Sequence, residues 1–468
     1  MIFIRKLISS PTWMTLSAYL TKFGSGLILL PVFLLMFSTE EIAVWMVFLM
    51  ISGISGVADS GIGPSLIRVT SYFYSGLSEV PDRLVDKVVS GNKREPNYKK
   101  LSVMLNTFGV VYYFLGFLFF IFVYFFGSLV SSNAISMLTP ELRDGVDIAF
   151  YLILIKSTVA LLIIRWMSFA QGVDRVASIR GKEAIVELLK LIVMLLVVSF
   201  ANGSILEVVI VDLLGSIILL FISRREVFLW FVEGGVKFSP KIEFDTKLFN
   251  SIWPSMWRFG GMQYGSYLIN NGAGIVVSQA GNASLIAAFL LTQKIMFVIR
   301  QISQTPLMAH LPTIFKMKAH AEVEKIKSFS SEKIRLGIGI QLFFSLLFVL
   351  TGGSALDILG VETNILPQSL LILYSVIMIL EAHHSYHAQI YMSTNHVPFL
   401  FPGIVSGIVI LSVGFFMMPY YGVLGLLLVQ LVVQLMFNNW YPVFLNLRSL
   451  NWSGLAYIQD VLWKKNRY

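Results

Sequence analysis

The second long apolar run of the chain begins near residue 42 and ends with ADSGIGPSLIR, residues 58–68. A polar, basic segment (residues 69–100) follows it, and a third apolar run starts at residue 101. A bilayer core about 30 Å thick is crossed by roughly 20 apolar residues in a helix. Apolar runs of this length, separated by basic segments, predict membrane-spanning helices.

The same pattern recurs along the chain and predicts twelve spans. They cover residues 13–37, 42–67, 101–127, 146–170, 183–200, 204–222, 249–278, 284–306, 336–356, 366–391, 397–417 and 422–445. The composition agrees, because 56% of the 468 residues are hydrophobic, only 13% are charged, and the mean hydropathy is +0.77. A soluble protein does not need so much apolar sequence. The expected fold class is an all-α polytopic membrane protein.

Lysine and arginine are distributed unevenly among the polar segments. Of the 35 basic residues, 27 lie in the two termini and in the loops after spans 2, 4, 6, 8 and 10, whereas the other loops together hold only Arg143. Because basic residues in short loops orient a membrane protein, both termini are predicted to face the cytoplasm. The net charge of +9 then reflects orientation and contact with anionic membrane lipids, and no nucleic-acid partner is expected.

The most polar mid-chain segment separates two halves of six spans each. We predict an N-terminal six-helix bundle (1–223), a cytoplasmic linker (224–247), a C-terminal six-helix bundle (248–446) and a basic cytoplasmic tail (447–468). The tripeptide Lys22-Phe23-Gly24 in span 1 corresponds to Arg258-Phe259-Gly260 in span 7. Helix-breaking prolines also recur in spans 1, 2, 7 and 8. These echoes predict pseudo-symmetric halves, as in many transporters.

Seven basic residues lie inside apolar spans. A charge at the centre of a membrane helix costs about 2.5–3.5 kcal/mol on insertion scales, so it normally faces a bundle interior or a water-filled cavity. Four lie deep and are predicted to line a cavity: Lys22, Lys156, Arg258 and Lys294. Three lie nearer the cytoplasmic ends, where snorkelling to the headgroups is favoured: Arg165, Lys190 and Arg300. Arg300 is kept as a further candidate for substrate binding.

The acidic residues within spans are fewer than the basic ones. Asp59 either pairs with Lys22 or Arg68 or serves as a proton or cation site, and Glu381 is a second candidate for coupling or ion pairing. Glu187 and Lys190 are three residues apart on one helix and are predicted to pair. Positive charge stays in excess even if every acid is paired. A cavity lined by these residues is expected to attract an anion.

Span 10 contains the polar segment Glu381-Ala-His383-His384-Ser-Tyr-His387. His383 and His387 share a helix face, which is compatible with a metal pair, but no third ligand follows at a suitable spacing. Hydrogen bonds between helices or a polar lining are the favoured interpretation. No metal or cofactor is expected, and the absence of cysteine excludes disulfides and cysteine metal sites.

Residues 58–68, with the basic loop after them and the two six-span halves, resemble the Wzx-type polysaccharide flippases. These belong to the multidrug/oligosaccharidyl-lipid/polysaccharide (MOP) exporter superfamily, and Asp59, Gly61 and Gly63 fit the loose family pattern. The resemblance implies a V-shaped, MATE-like pair of bundles with a central cavity lined by spans 1, 2, 7 and 8. It assigns Lys22, Asp59, Arg258 and Lys294 to that cavity, whereas Lys156 rests on its depth in span 4.

The function expected from this resemblance is a flippase of the bacterial cytoplasmic (inner) membrane. Its substrate would be an undecaprenyl-pyrophosphate-linked oligosaccharide, an O-antigen or capsule repeat unit, which crosses to the outer leaflet by alternating access through the cationic cavity. A polysaccharide polymerase and a chain-length regulator are candidate partners, and no covalent chemistry is required.

Two alternatives stay open. One is a MATE-type multidrug or metabolite antiporter, for which acids rather than bases would dominate the cavity. The other is a membrane polysaccharide polymerase or glycosyltransferase, whose long catalytic outer loop is missing here.

Overall fold

The computed structural model describes residues 28–59, 61–79, 95–201, 203–308, 310–319, 322–392 and 398–462, together with Met14, Ser17 and Thr21. Over these residues the ordered elements are helices, with no strand among them. In a bilayer this is expected, because a helix satisfies its backbone hydrogen bonds within one segment. Lys22 and residues 80–94 of the basic loop lie outside the described residues.

Packing divides the chain into two compact units, Met1–Gln263 (unit 1) and Tyr264–Tyr468 (unit 2). The helices of unit 1 are α1 (28–36), α2 (Thr39–Asp59), α3 (Ile62–Tyr74), α4 (Tyr98–Ser136), α5 (Pro140–Gly172), α6 (Val176–Phe200), α7 (Ile205–Glu233) and the first half of α8 (Thr246–Ser278). Ordinary start signals explain several of them. The Asn97 side chain caps α4, and Ser204 and Glu207 form a capping box at α7.

Unit 2 contains the second half of α8 and seven further helices. They are α9 (Ala283–Met308), α10 (Leu311–Ala319), α11 (Val323–Leu359), α12 (Gln368–Tyr391), α13 (Leu400–Val433), α14 (Tyr441–Ser449) and α15 (Gly454–Leu462). A short π-helical segment, Gln434–Asn438, joins α13 to α14. Within α13 the backbone breaks at Gly422, where a φ of 56° suits glycine because it has no Cβ.

The unit boundary falls inside α8, whereas the predicted boundary is a linker at residues 224–247. The difference arises at both ends of that segment: α7 continues to Glu233, and α8 starts at Thr246. Residues 234–245 therefore connect the two helices within unit 1. The predicted tail (447–468) is also partly helical, since it contains α15.

Eight helical stretches among the described residues are long and apolar enough to cross a bilayer. They are Thr39–Tyr74, Tyr98–Ser136, Pro140–Gly172, Ile205–Glu233, Ala283–Met308, Val323–Leu359, Gln368–Tyr391 and Leu400–Ser449. Predicted spans 2 to 12 all fall on helices, and spans 11 and 12 share the last stretch. Spans 5 and 7 (α6 and α8) lie outside the eight; α6 is rich in charges and α8 in glycine and polar residues.

The outer surface of the helices is apolar. Phe114 and Phe117 of α4, Leu350 of α11 and Phe416 of α13 are each more than 60% exposed. A soluble protein rarely exposes so many large apolar side chains together, because water penalises them. The all-α class and a multi-pass membrane protein are thus confirmed, while the count of twelve spans and the orientation of the termini stay predictions.

The stretch at residues 58–68 forms a tight junction between α2 and α3. A Cβ on Gly61 would overlap the backbone carbonyl of Met256 in α8, so the close approach of these two segments requires glycine. A Cβ on Gly63 would lie 2.5 Å from the Asp59 carboxylate and 3.2 Å from the Ser168 hydroxyl of α5. The two glycines therefore let helices approach one another around a buried acid.

Candidate functional site

A closed network of four charges lies inside unit 1. Asp212 of α7 accepts from Lys156 of α5 at 2.9 Å and from Lys190 of α6 at 2.7 Å. Lys190 also contacts Glu187 at 3.0 Å, which confirms the predicted pair. The Lys156 ammonium donates to the Ser52 hydroxyl of α2 at 2.7 Å. Two cations and two carboxylates cancel, so this network carries no net charge.

The network changes the interpretation of Lys156. Its depth predicted that it lines a cavity and binds substrate; in the structure Asp212 compensates its charge at 2.9 Å. Asp212 lies within span 6, but its bridging role was not predicted, because its two partners lie on other helices. The sequence showed only that span 6 holds two acids, Glu207 and Asp212, and that other spans hold lysines.

Asp59 is buried at the end of α2 and accepts a hydrogen bond from the Tyr112 hydroxyl of α4. The sequence predicted that Asp59 either pairs with Lys22 or Arg68 or serves as a proton or cation site. Arg68 is exposed on α3, and Lys22 lies outside the described residues. A phenol supplies one hydrogen bond and no charge, so Asp59 is a carboxylate held by a neutral donor. Tyr112 was missed because an aromatic residue in an apolar span gives no signal of a polar contact.

Arg165 is buried in unit 1, with 4% of its surface exposed. Its guanidinium donates to the Leu105 carbonyl at 2.6 Å and lies 4.5 Å from the ring of Trp166. The prediction that it snorkels to the headgroups is wrong, and the same holds for Lys190 in the network described above. Each position lies near a helix end in sequence but faces other helices of the bundle.

Unit 2 buries a different polar cluster. Arg300 of α9 donates to the Asn270 side chain of α8 at 2.7 Å and to Glu381 of α12 at 3.4 Å. Both Arg300 and Glu381 are buried, so snorkelling is again the wrong prediction for this arginine. His384 stands 3.7 Å from the same Glu381 oxygen. The other oxygen, Oε1, has no hydrogen-bond partner among the described residues.

The histidines of span 10 hydrogen-bond to other helices. Asn446 of α14 donates to His387 Nδ1 at 2.9 Å, so His387 Nε2 carries the hydrogen that reaches the Tyr457 hydroxyl at 3.0 Å. The Tyr457 hydroxyl lies 2.7 Å from His383 Nε2, which accepts its hydrogen. Burial raises the pKa of Tyr457, so the phenol stays protonated as this chain of hydrogen bonds requires. The prediction of hydrogen bonds between helices is confirmed.

No group of three or more histidine, aspartate or glutamate side chains suited to a metal ion occurs in the part of the chain that the structure describes. His383 and His387 form the most promising pair, and Tyr457 stands between them. A phenol hydrogen-bonded to both rings satisfies nitrogens that would otherwise be free to bind a metal.

The remaining predicted cations differ in their surroundings. Arg258 is exposed on α8, where its guanidinium lies 5.8 Å from the Trp257 ring. No carboxylate among the described residues forms an ion pair with it. Lys294 of α9 is half-buried. Lys22 of span 1 cannot be placed, since it is not one of the described residues.

Solved structures that share this fold include the following three. The chain matches the lipid II flippase MurJ in an inward closed conformation with a TM-score of 0.66, 12% identity, and coverage of 96% of this chain and 90% of that one. An inward-facing MATE-family multidrug resistance transporter matches with a TM-score of 0.63 and 12% identity, over 94% of this chain and 99% of that one. The third is a MOP superfamily transporter from Pyrococcus furiosus, described as having a binding pocket of reverse polarity. It matches with a TM-score of 0.55 and 13% identity, over 98% of this chain and 96% of that one.

These likenesses establish a fold like that of MATE transporters and MurJ. At 12–13% identity they establish the fold alone. No protein-family model matches the chain, and no curated protein matches it in sequence. The three proteins are transporters or flippases rather than enzymes.

Proposed function

We propose that the chain is a flippase of the bacterial inner membrane. Its substrate is an undecaprenyl-pyrophosphate-linked oligosaccharide, such as an O-antigen or capsule repeat unit, of the class that the Wzx-type exporters move. The headgroup crosses to the outer leaflet by alternating access while the polyprenyl tail stays in lipid. No bond is made or broken.

The observation that carries the proposal is the contrast between Arg258 and the buried cations. Lys156, Lys190 and Arg300 are each compensated by a carboxylate within 3.4 Å. Arg258 is exposed in a predicted span and has no described carboxylate partner. An arginine is strongly favoured at phosphate sites because its planar fork donates two hydrogen bonds. The likeness in fold to a lipid II flippase supports the same substrate class.

The two buried carboxylates provide candidate sites for coupling to an ion gradient. Asp59 is held by a phenol rather than a cation, and Glu381 has one oxygen without a described partner. The Asp59 carboxylate has no described ion pair, and Glu381 keeps one oxygen open beside its ion pair with Arg300, so each has a position that a proton or a cation could occupy. We propose that one of these two residues binds the proton or cation whose gradient drives transport.

Export of surface polysaccharide tests the substrate contact. In a strain that depends on this protein, Arg258→Gln is expected to lower surface polysaccharide about tenfold, because a charge-assisted phosphate contact is lost. Arg258→Lys should restore part of it. Arg225→Gln, which removes an exposed arginine at the polar end of α7, is the matched control. Equal export by wild type and Arg258→Gln at equal protein level would reject the assignment.

A MATE-type multidrug or metabolite antiporter is the second candidate. It is favoured by the 99% coverage of the MATE-family transporter and by the balanced charges of the buried networks, which weaken the case for a strongly cationic interior. Efflux of a cationic dye from cells that overproduce the protein separates the two. Dye efflux with unchanged surface polysaccharide in the deletion strain favours the antiporter.

A further inference from the structure

A groove runs along one face of α11, the third helix of unit 2 after α8. It has a volume of about 610 Å³, and its walls are Leu336, Ile340, Phe343 and Phe344. These residues recur at helical spacing, so they form a single stripe. Gly339 lies at the floor, where a Cβ would have no heavy atom within 4 Å. The missing side chain creates the depression between bulky neighbours.

One end of the groove is cationic. Arg335 lines it and is half-buried. The lysines nearby are neutralised: Lys325 pairs with Glu322, Lys327 with Glu324 and Lys333 with Glu332. Glu332 also borders the groove, and the Lys333 ammonium lies 3.0 Å from the Glu332 carboxylate. No carboxylate among the described residues forms an ion pair with Arg335, so this guanidinium supplies the local net charge.

The dimensions and position fit one lipid chain. Residues 335 to 344 span about 14 Å at a rise of 1.5 Å per residue, which is close to half of a hydrocarbon core about 30 Å thick. The cationic end belongs to the lysine-rich start of α11, which the charge bias orients toward the cytoplasm. The groove therefore begins at headgroup depth and crosses one leaflet.

We propose that this groove binds an anionic phospholipid of the cytoplasmic leaflet. Arg335 holds the phosphate, and one acyl chain lies over Gly339 between Leu336, Ile340 and the two phenylalanines. A polyprenyl carrier is much longer than one leaflet, so a phospholipid is the better match in length. The site lies entirely within unit 2 and is independent of the proposed transport substrate.

Native mass spectrometry of the full-length protein in detergent tests the site, with phosphatidylglycerol as the probe. Arg335→Gln is expected to weaken binding about tenfold, because the charged contact to phosphate is removed. Gly339→Leu should weaken it similarly by filling the groove. Gly353→Leu is the matched control, since Gly353 is on the same helix and also has open space around a Cβ. Lys325→Gln controls for the loss of any positive charge on this surface.

The probes distinguish the possible ligands. Phosphatidylethanolamine should bind more weakly than phosphatidylglycerol, and inorganic phosphate should not displace it. The proposal fails if both Arg335→Gln and Gly339→Leu bind phosphatidylglycerol as the wild type does, or if Gly353→Leu lowers binding as much as Gly339→Leu. It also fails if phosphate alone displaces the lipid, or if a polyprenyl phosphate binds more tightly than phosphatidylglycerol.

Discussion

The two units bury charge in different ways. Unit 1 places two lysines and two carboxylates in one network, and within that network every charge has an opposite partner within 3.0 Å. Unit 2 places one arginine beside one carboxylate at 3.4 Å and completes the cluster with an amide and a histidine. In the first arrangement every charge is paired, whereas in the second one oxygen of Glu381 has no hydrogen-bond partner among the described residues. Two units of one chain thus need not share their electrostatics.

The largest expected effect comes from breaking the network of unit 1. Asp212→Asn leaves Lys156 and Lys190 without their shared carboxylate, and removal of one partner from a buried ion pair costs about 3–5 kcal/mol. Thermal unfolding in detergent should show a markedly lower midpoint. Asp144→Asn, at an exposed acid near the start of α5, is expected to leave the midpoint unchanged. Equal midpoints for the two variants would show that the network does not stabilise unit 1.

The corresponding change in unit 2 should be milder. Glu381→Gln keeps a hydrogen-bond acceptor for Arg300, which also retains Asn270, so we expect a loss of about 1.5–3 kcal/mol. The same thermal assay gives a direct ranking against Asp212→Asn. If the Glu381 variant is the less stable of the two, the contrast between a closed and an open charge cluster is wrong.

A third test concerns how Asp59 is held. Gly63→Ala would place a Cβ 2.5 Å from the Asp59 carboxylate, and such overpacking costs about 1–3 kcal/mol. Gly56→Ala, on α2 with open space around its Cβ, should instead be neutral or slightly stabilising. Unfolding midpoints of the pair report on steric fit at this junction. A Gly63→Ala protein as stable as Gly56→Ala would argue against close packing around the acid.

The smallest effect is expected at the histidines of span 10. Tyr457→Phe removes the hydroxyl shared by His383 and His387, which should cost about 1–2 kcal/mol because one buried and one partly buried ring nitrogen lose their partner. Tyr420→Phe changes an exposed phenol and is the control. Limited proteolysis of the C-terminal residues, faster in Tyr457→Phe alone, would confirm that this hydroxyl attaches α15. Identical cleavage in both variants would contradict it.

Periodicity and charge bias predicted most of the fold, because long apolar runs have few alternatives to a helix in a bilayer. They also predicted Glu187 and Lys190 as a pair, since that contact depends only on spacing along one helix. Periodicity and charge bias did not predict the helix break at Gly422 or the continuation of α7 to Glu233. Apolar content locates a span well and its ends poorly.

The buried site was predicted less completely, and one physical reason explains the misses. Position along a span does not indicate which side of the helix faces other helices. Arg165 and Arg300 lie near predicted ends and were therefore expected at the headgroups, but both are turned inward. Asp212 contacts lysines on two other helices, and no local sequence pattern predicts a contact between residues so far apart in the chain.

The position of α8 bears on how the protein can be divided for expression. Its first half packs against Gly61 in unit 1, and Gly265 in its second half lies against Gly403 in unit 2. A cut in residues 234–245 would keep α8 whole. The downstream fragment would then contain the first half of α8, which packs within unit 1. A cut at Gln263 would sever the helix itself. Neither fragment is therefore self-sufficient, and co-expression of both is the arrangement under which a split version should assemble.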